Sequence, residues 1–154
     1  MMSKDADDTE ERAFFMLDFV GDRLDPAPLM ALLPLTAVRP KRKGDPLGPT
    51  RDGKTPRAKM GYCGFQTDDK VPAKNPNEHA EFLMQVISTH LNGIRSIMSA
   101  QSLAWKAVLF EGSSEGQRFS DLDPEILRKA EELGLPLSFE KAITAPPDVG
   151  RSEP

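Results

Sequence analysis

The stretch Ala13-Phe14-Phe15-Met16-Leu17-Asp18-Phe19-Val20 sets seven apolar residues and one acid in a row and stops at Gly21-Asp22. A short, mainly apolar run closed by a turn signal suits a buried strand. What the chain does after this strand decides the fold class.

Leu24-Asp25-Pro26 opens a helix. Asp25 can accept from the free amides of the first turn, and Pro26 occupies the first helical position, where a missing N–H costs nothing. Leu29, Leu32 and Leu33 supply its apolar side, and Pro34 ends it. Thr36 to Arg39 reads as a second strand and Ala58 to Thr67 as a third, with Met60, Tyr62 and Gly64 alternating against Gly61, Cys63 and Phe65. Asn75-Pro76-Asn77-Glu78 repeats the start signal and leads into Ala80, Leu83, Ile87, Leu91, Ile94 and Met98, the stripe of a helix buried on one side. Asn92-Gly93 is a place where that helix can break.

Leu103 to Glu111 reads as a strand with Leu103, Trp105, Ala107 and Leu109 on one face and Lys106, Val108 and Phe110 on the other. A turn at 112–116 should return the chain through Gln117 to Ser120 as a further strand. Leu122-Asp123-Pro124 then starts a third helix, closed by Gly134 and Pro136, and Leu137 to Phe139 supplies a last strand. The expected order is β-α-β-β-α-β-β-α-β, an α+β fold with three helices on one face of a mostly antiparallel sheet. Residues 13–143 form the expected single domain; 1–12 and 144–154 are too polar to offset their ordering entropy and are expected to be disordered tails. Leu-Asp-Pro followed by Pro-Leu occurs near both ends of this domain, a repeat that either duplication or a shared helix-start signal explains.

Bulk composition narrows the function classes. Phe, Leu, Val and Ile make up 35 of 154 residues, enough for a modest core. No apolar run is long enough to span a bilayer, and residues 1–12 carry five acids, two bases and no apolar segment, so neither a membrane span nor a secretory leader is expected. One cysteine, Cys63, can form no internal disulfide and no Cys-rich zinc site, which suits a reducing compartment and a cytoplasmic location. The net charge of −4 hides a segregation: residues 39–59 hold eight bases and two acids, leaving the rest of the chain at −10.

Taken in order, Gly21-Asp22-Arg23-Leu24-Asp25-Pro26, Lys43-Gly44-Asp45, the long helix near Glu78-His79, Leu122-Asp123-Pro124-Glu125-Ile126-Leu127 and Leu133-Gly134-Leu135 resemble the bacterial family called domain of unknown function 4279, over roughly 13–141. The chain departs from that pattern at Tyr62, where a tryptophan is expected, and in its long basic insert. The resemblance implies a small α+β domain and brings no known activity or catalytic residue with it.

Local chemistry is sparse. Gly112-Ser113-Ser114-Glu115-Gly116 fits Gly-x-Ser-x-Gly, but a nucleophile elbow needs a helix directly after it and a histidine later in the chain, whereas His79 and His90 both precede it. A hairpin turn is expected there. On one helix His79 and His90 would have Cα atoms roughly 16 Å apart and cannot chelate one ion. His79 is expected to be solvated, His90 to flank the apolar stripe, Cys63 to be an inert half-buried thiol, and Glu78 and Glu81 to be solvated. Neither a phosphate loop nor a dinucleotide fingerprint occurs, and no cofactor or metal is expected.

The remaining candidate is the basic loop, with Arg39, Lys41, Arg42, Lys43, Arg51, Lys54, Arg57 and Lys59. Its cations can complement an acidic protein surface or release counterions from phosphates. It lacks aromatic residues for base stacking, and the whole chain is acidic, so nucleic acid ranks below an acidic protein. The expectation is a non-catalytic binding or protein-interaction module. The alternatives are a small enzyme with a non-local site, such as Cys63 with His79 or His90, and a phosphate- or nucleic-acid-binding protein using 39–59.

Overall fold

In the computed structural model the described residues are 11–48, 50–71, 75–113 and 122–141, without the side chains of 11, 12, 112, 113 and 141. Along the chain run β1 (Glu11–Gly21), α1 (Pro26–Leu32), β2 (Thr36–Lys41), β3 (Gly61–Gln66), α2 (Pro76–Thr89), α3 (Leu91–Gln101), β4 (Ala104–Ser113), α4 (Pro124–Leu133) and β5 (Leu137–Lys141). The strands form one sheet in the order β2-β3-β1-β4-β5. The apolar run that opens the domain is therefore its central strand, and β1 begins at Glu11, inside the segment expected to be a tail. The strand expected over Gln117–Ser120 lies outside the described residues, as do residues 1–10 and 144–154 of the two expected tails and the last two residues, 142 and 143, of the expected domain.

Register assigns the faces. β1 pairs antiparallel with β4, setting Phe15 opposite Leu109, Leu17 opposite Ala107 and Phe19 opposite Trp105, and pairs antiparallel with β3, setting Leu17 opposite Phe65 and Phe19 opposite Cys63. Because alternate residues share a face, these side chains point one way, and they join one buried cluster with Leu29 of α1, Leu83 and Ile87 of α2, Ile94 of α3 and Ile126 and Ala130 of α4. Phe15, Leu17 and Phe19 are fully buried in it. The opposite face carries Phe14, Met16, Asp18 and Val20 and has no helix over it among the described residues.

Two expectations need correction. The described sheet is antiparallel in three of its four pairings, as expected, but it is mixed: β5 runs parallel to β4, because α4 crosses over and returns the chain to lie beside β4 in the same direction. The described helices number four, because the long helix divides at His90 (φ −111°, ψ 19°), two residues before the expected Asn92-Gly93 break. The halves serve different neighbours, α2 packing on β1 and α3 on α1. Gly93 lies inside α3, where a Cβ would stand 2.9 Å from a Leu32 methyl, so this glycine permits the α1–α3 approach rather than ending a helix.

The expected start signals hold with one exception. Asp25 and Asn75 accept from the amides two residues on, of Ala27 and Asn77. Asp123 occupies the same position before α4, yet its side chain makes no capping hydrogen bond. Gly134 ends α4 at φ 69°, the left-handed conformation that glycine adopts without strain.

Candidate functional site

The basic segment folds as an arm. Gly44 N–H donates to Ala58 O and Ala58 N–H to Asp45 O, Leu47 N–H donates to Pro56 O, and Thr50 N–H donates to Lys54 O, so two legs close on a turn at 50–53. The Thr50 hydroxyl donates to the Asp52 carboxylate, which also accepts from Lys54 N–H, and these bonds hold Asp52 below the usual carboxylate range. The root is fixed separately: Arg42 Nη2 lies 2.7 Å from Asp25 Oδ1 and Lys43 Nζ 3.6 Å from Asp22 Oδ2. Lys41 Nζ donates to Pro46 O and Arg57 Nη1 to Gly44 O. Arg51, Lys54 and Lys59 are exposed, and the Lys54 and Lys59 ammonium groups make no hydrogen bond or ion pair among the described residues. Leu47 and Met60, at 37% and 48% exposure, add apolar surface beside them. Seven of the eight bases of the segment thus divide into a root that binds its own chain and an outer part that faces solvent.

Arg39 stands apart from both groups. It sits at a bulge between Val38 and Lys41 with φ 52°, a left-handed conformation uncommon for a side-chain-bearing residue. Its charge acts on Tyr62, on the sheet face that carries no helix. There the Tyr62 hydroxyl donates to Asp18 Oδ1 at 2.8 Å, and Lys106 lies directly across the β1–β4 pair from Asp18. A shallow hollow of about 280 Å³, lined by Asp18, Val20, Tyr62, Ala104, Trp105 and Lys106, opens over them. Partial burial raises the Asp18 carboxyl above its ordinary value of 3.8, while the Tyr62 hydrogen bond and the Lys106 charge oppose the shift. Burial, then the Asp18 hydrogen bond and charge, push Tyr62 upward, so it stays a donor at neutral pH. This is a cross-strand charge pair with a phenol attached, in which the hydrogen bond and the opposite charge offset part of the cost of burying Asp18.

A second concavity, about 410 Å³, lies between α2 and α4. Its lining includes Glu81, Met84, Asp123, Glu125, Ile126 and Lys129. Met84 and Ile126 are buried, so the groove has an apolar base and a mainly acidic rim.

The enzyme candidates fare differently. Cys63 is fully buried on β3 rather than half-buried, and burial, with the Asp18 charge, pushes its thiol up to about 12, so thiolate is scarce near neutral pH. His79 is not solvated: it is 1% exposed, and its Nδ1 lies 2.7 Å from Thr67 Oγ1, which also accepts from Phe15 N–H. Its position four residues before Leu83 puts it on the buried stripe of α2, a signal present in the sequence. His90 is the half-buried junction between α2 and α3. Gly112 and Ser113 continue β4 instead of forming the expected turn, and residues 114–116 of that motif lie outside the described residues. Among the described residues no three His, Cys, Asp or Glu side chains group to hold a metal ion.

A protein-family model described as "Domain of unknown function (DUF4279)" matches residues 11–143, most of the chain. The chain belongs to this family. The match spans every described element of the DUF4279 domain, the arm included, so the basic segment lies within the family's bounds rather than beyond them. The family's description assigns no activity to any residue of the DUF4279 domain. No curated protein and no solved structure matches the chain.

Proposed function

We propose that this DUF4279 chain is a non-catalytic binding module that recognises an acidic protein surface through the arm at residues 39–59. One observation carries the reading: the arm is internally hydrogen-bonded and anchored at its root, yet it leaves Lys54 and Lys59 without a partner among the described residues, near exposed Leu47 and Met60. A pre-ordered loop loses less conformational entropy on binding than a flexible one, and cations mixed with apolar side chains complement acidic protein better than bare phosphate. No aromatic residue occurs in 39–59 to stack on bases, which places nucleic acid second.

No described helix is long and apolar enough to cross a membrane. We place the protein in the cytoplasm on its single cysteine and infer that 13–143 fold as one unit.

Binding to a poly-glutamate peptide at low salt tests the reading. Exposed charge contacts contribute about 0.2–1 kcal/mol each, so Lys54→Ala with Lys59→Ala should weaken binding roughly 2- to 30-fold. Equal affinity of wild type and double variant, or tighter binding to single-stranded DNA, would overturn it.

A further inference from the structure

The chain carries an acidic surface of its own. Between α2 and α4, Glu81 and Asp123 line the groove and have no ion pair among the described residues. Glu125 is held by Arg128 at 2.6 Å, and Lys129 is the one base in the lining. Asp123 is in position to cap α4 but does not, which leaves its carboxylate available to a partner. Below the acids, Met84 and Ile126 offer an apolar base matching the exposed Leu47 and Met60 of the arm.

We propose that the arm of one copy docks in the α2–α4 groove of a second copy. The inference rests on the reading of the arm as a binder of acidic protein and names the partner as another molecule of this chain. Three observations favour this occupant over an unrelated protein. Charge is segregated in sequence, with eight bases and two acids in 39–59 and a net −10 elsewhere, so each molecule offers both halves of the contact. Apolar groups accompany the charges on both sides. The third observation concerns reach. The arm joins β2 to β3 at one edge of the sheet, whereas α4 joins β4 to β5 at the opposite edge. Five strands at about 4.8 Å spacing set those edges roughly 19 Å apart. With its root pinned by Arg42–Asp25 and Lys43–Asp22, the arm contributes no residue to the lining of its own groove, which leaves that groove open to the arm of a second molecule.

A projection on one side that fits a groove on the other is a heterologous contact, which grows head to tail or closes into a ring. Because exposed ion pairs are individually weak and screened by salt, the association is modest and salt-sensitive.

Sedimentation of the full chain between about 10 µM and 1 mM tests this. Wild type should associate at about 20 mM salt and at least about tenfold more weakly at 300 mM. An arm variant, Lys54→Glu with Lys59→Glu, and a groove variant, Glu81→Gln with Asp123→Asn, should each stay monomeric alone. An equimolar mixture holds one intact arm and one intact groove, and it should form a dimer and stop there. All substituted positions are exposed, and circular dichroism of each variant checks its fold. A wild type that remains monomeric at low salt, or a mixture that stays monomeric while wild type associates, overturns the inference. Arm-dependent binding of poly-glutamate by a monomeric wild type would leave the arm reading standing and remove only the second copy.

Discussion

Arg42 Nη2 lies 2.7 Å from Asp25 Oδ1, the same oxygen that caps α1 by accepting from Ala27 N–H. One carboxylate thus starts a helix and anchors the arm, joining a local sequence signal to the element that carries the proposed function. Asp25→Ala removes both roles and should cost about 0.5–2 kcal/mol, most of it from the cap. Arg42→Ala removes only an exposed pair and should cost well under 1 kcal/mol. Amide exchange at Gly44, Leu47 and Ala58 should quicken in both variants. Equal destabilisation of the two in urea would show that the cap adds nothing beyond the ion pair.

Among the described glycines, Gly61 meets the closest backbone atom. A Cβ there would stand 2.6 Å from Leu24 Cβ and 2.7 Å from Gly21 O, neither of which can swing aside. At Gly64 the nearest atoms are the Tyr62 hydroxyl at 2.5 Å, Met16 Sδ at 2.9 Å and Asp18 Oδ1 at 3.0 Å, all side-chain ends. Gly61→Ala should therefore be the worse change, near or above the upper part of the roughly 1–3 kcal/mol range for overpacking, with Gly64→Ala below it. Thermal melts that rank them in the opposite order would refute the geometry.

Asp18 gives a pH signature. Its carboxyl is raised in the folded state by burial, so the folded state holds a proton that the unfolded chain releases at lower pH. The resulting penalty is absent below the unfolded value of 3.8, grows as pH rises through the folded value, and is complete above it. Asp18→Asn lacks this penalty, so the variant should gain on wild type as pH rises from about 3 to 7. Tyr62→Phe removes a hydrogen bond that favours the ionised form, and the Asp18 titration followed by NMR should move further up. A stability difference between Asp18→Asn and wild type that is flat across this range would contradict the assignment.

Thr67 and Cys63 probe the interior. Thr67→Val strands Phe15 N–H and alters the surroundings of buried His79, and should cost about 1–3 kcal/mol. The Cys63 thiol, fully buried and pushed up to about 12, should resist iodoacetamide in the native protein at pH 8 and react on unfolding. Alkylation of native Cys63 at a free-thiol rate would reopen the nucleophile reading.

Much of the fold was readable because its signals are local. Asp25-Pro26, Asn75-Pro76 and Pro124 marked three helix starts, Gly134 marked one helix end, and the Ala13–Val20 run marked the central strand. The junction at His90 was hidden because the apolar spacing continues through it, from Ile87 to Leu91 and Ile94, while the packing partner changes from β1 to α1. The direction of β5 was hidden because strand pairing is settled by tertiary crossover rather than by any residue of Leu137–Lys141. In the arm, the Gly44–Ala58 and Leu47–Pro56 bonds join residues with no apolar alternation to reveal them. Its charge was plain in the sequence, but the division between anchored Arg42 and Lys43 and solvent-facing Lys54 and Lys59 needed the positions of Asp22 and Asp25. Asp18 and Tyr62 meet across 44 residues, and the only local hint was a lone acid within an apolar strand.

The most direct measurement is the salt dependence of poly-glutamate affinity for wild type and for the Lys54→Ala, Lys59→Ala variant, titrated side by side by calorimetry. The expected result is a wild-type affinity that falls steadily from about 20 to 300 mM salt and a variant that binds more weakly at low salt with a shallower dependence. Two superimposable curves, or no heat from either protein at low salt, would contradict a role for the arm in recognising acidic protein.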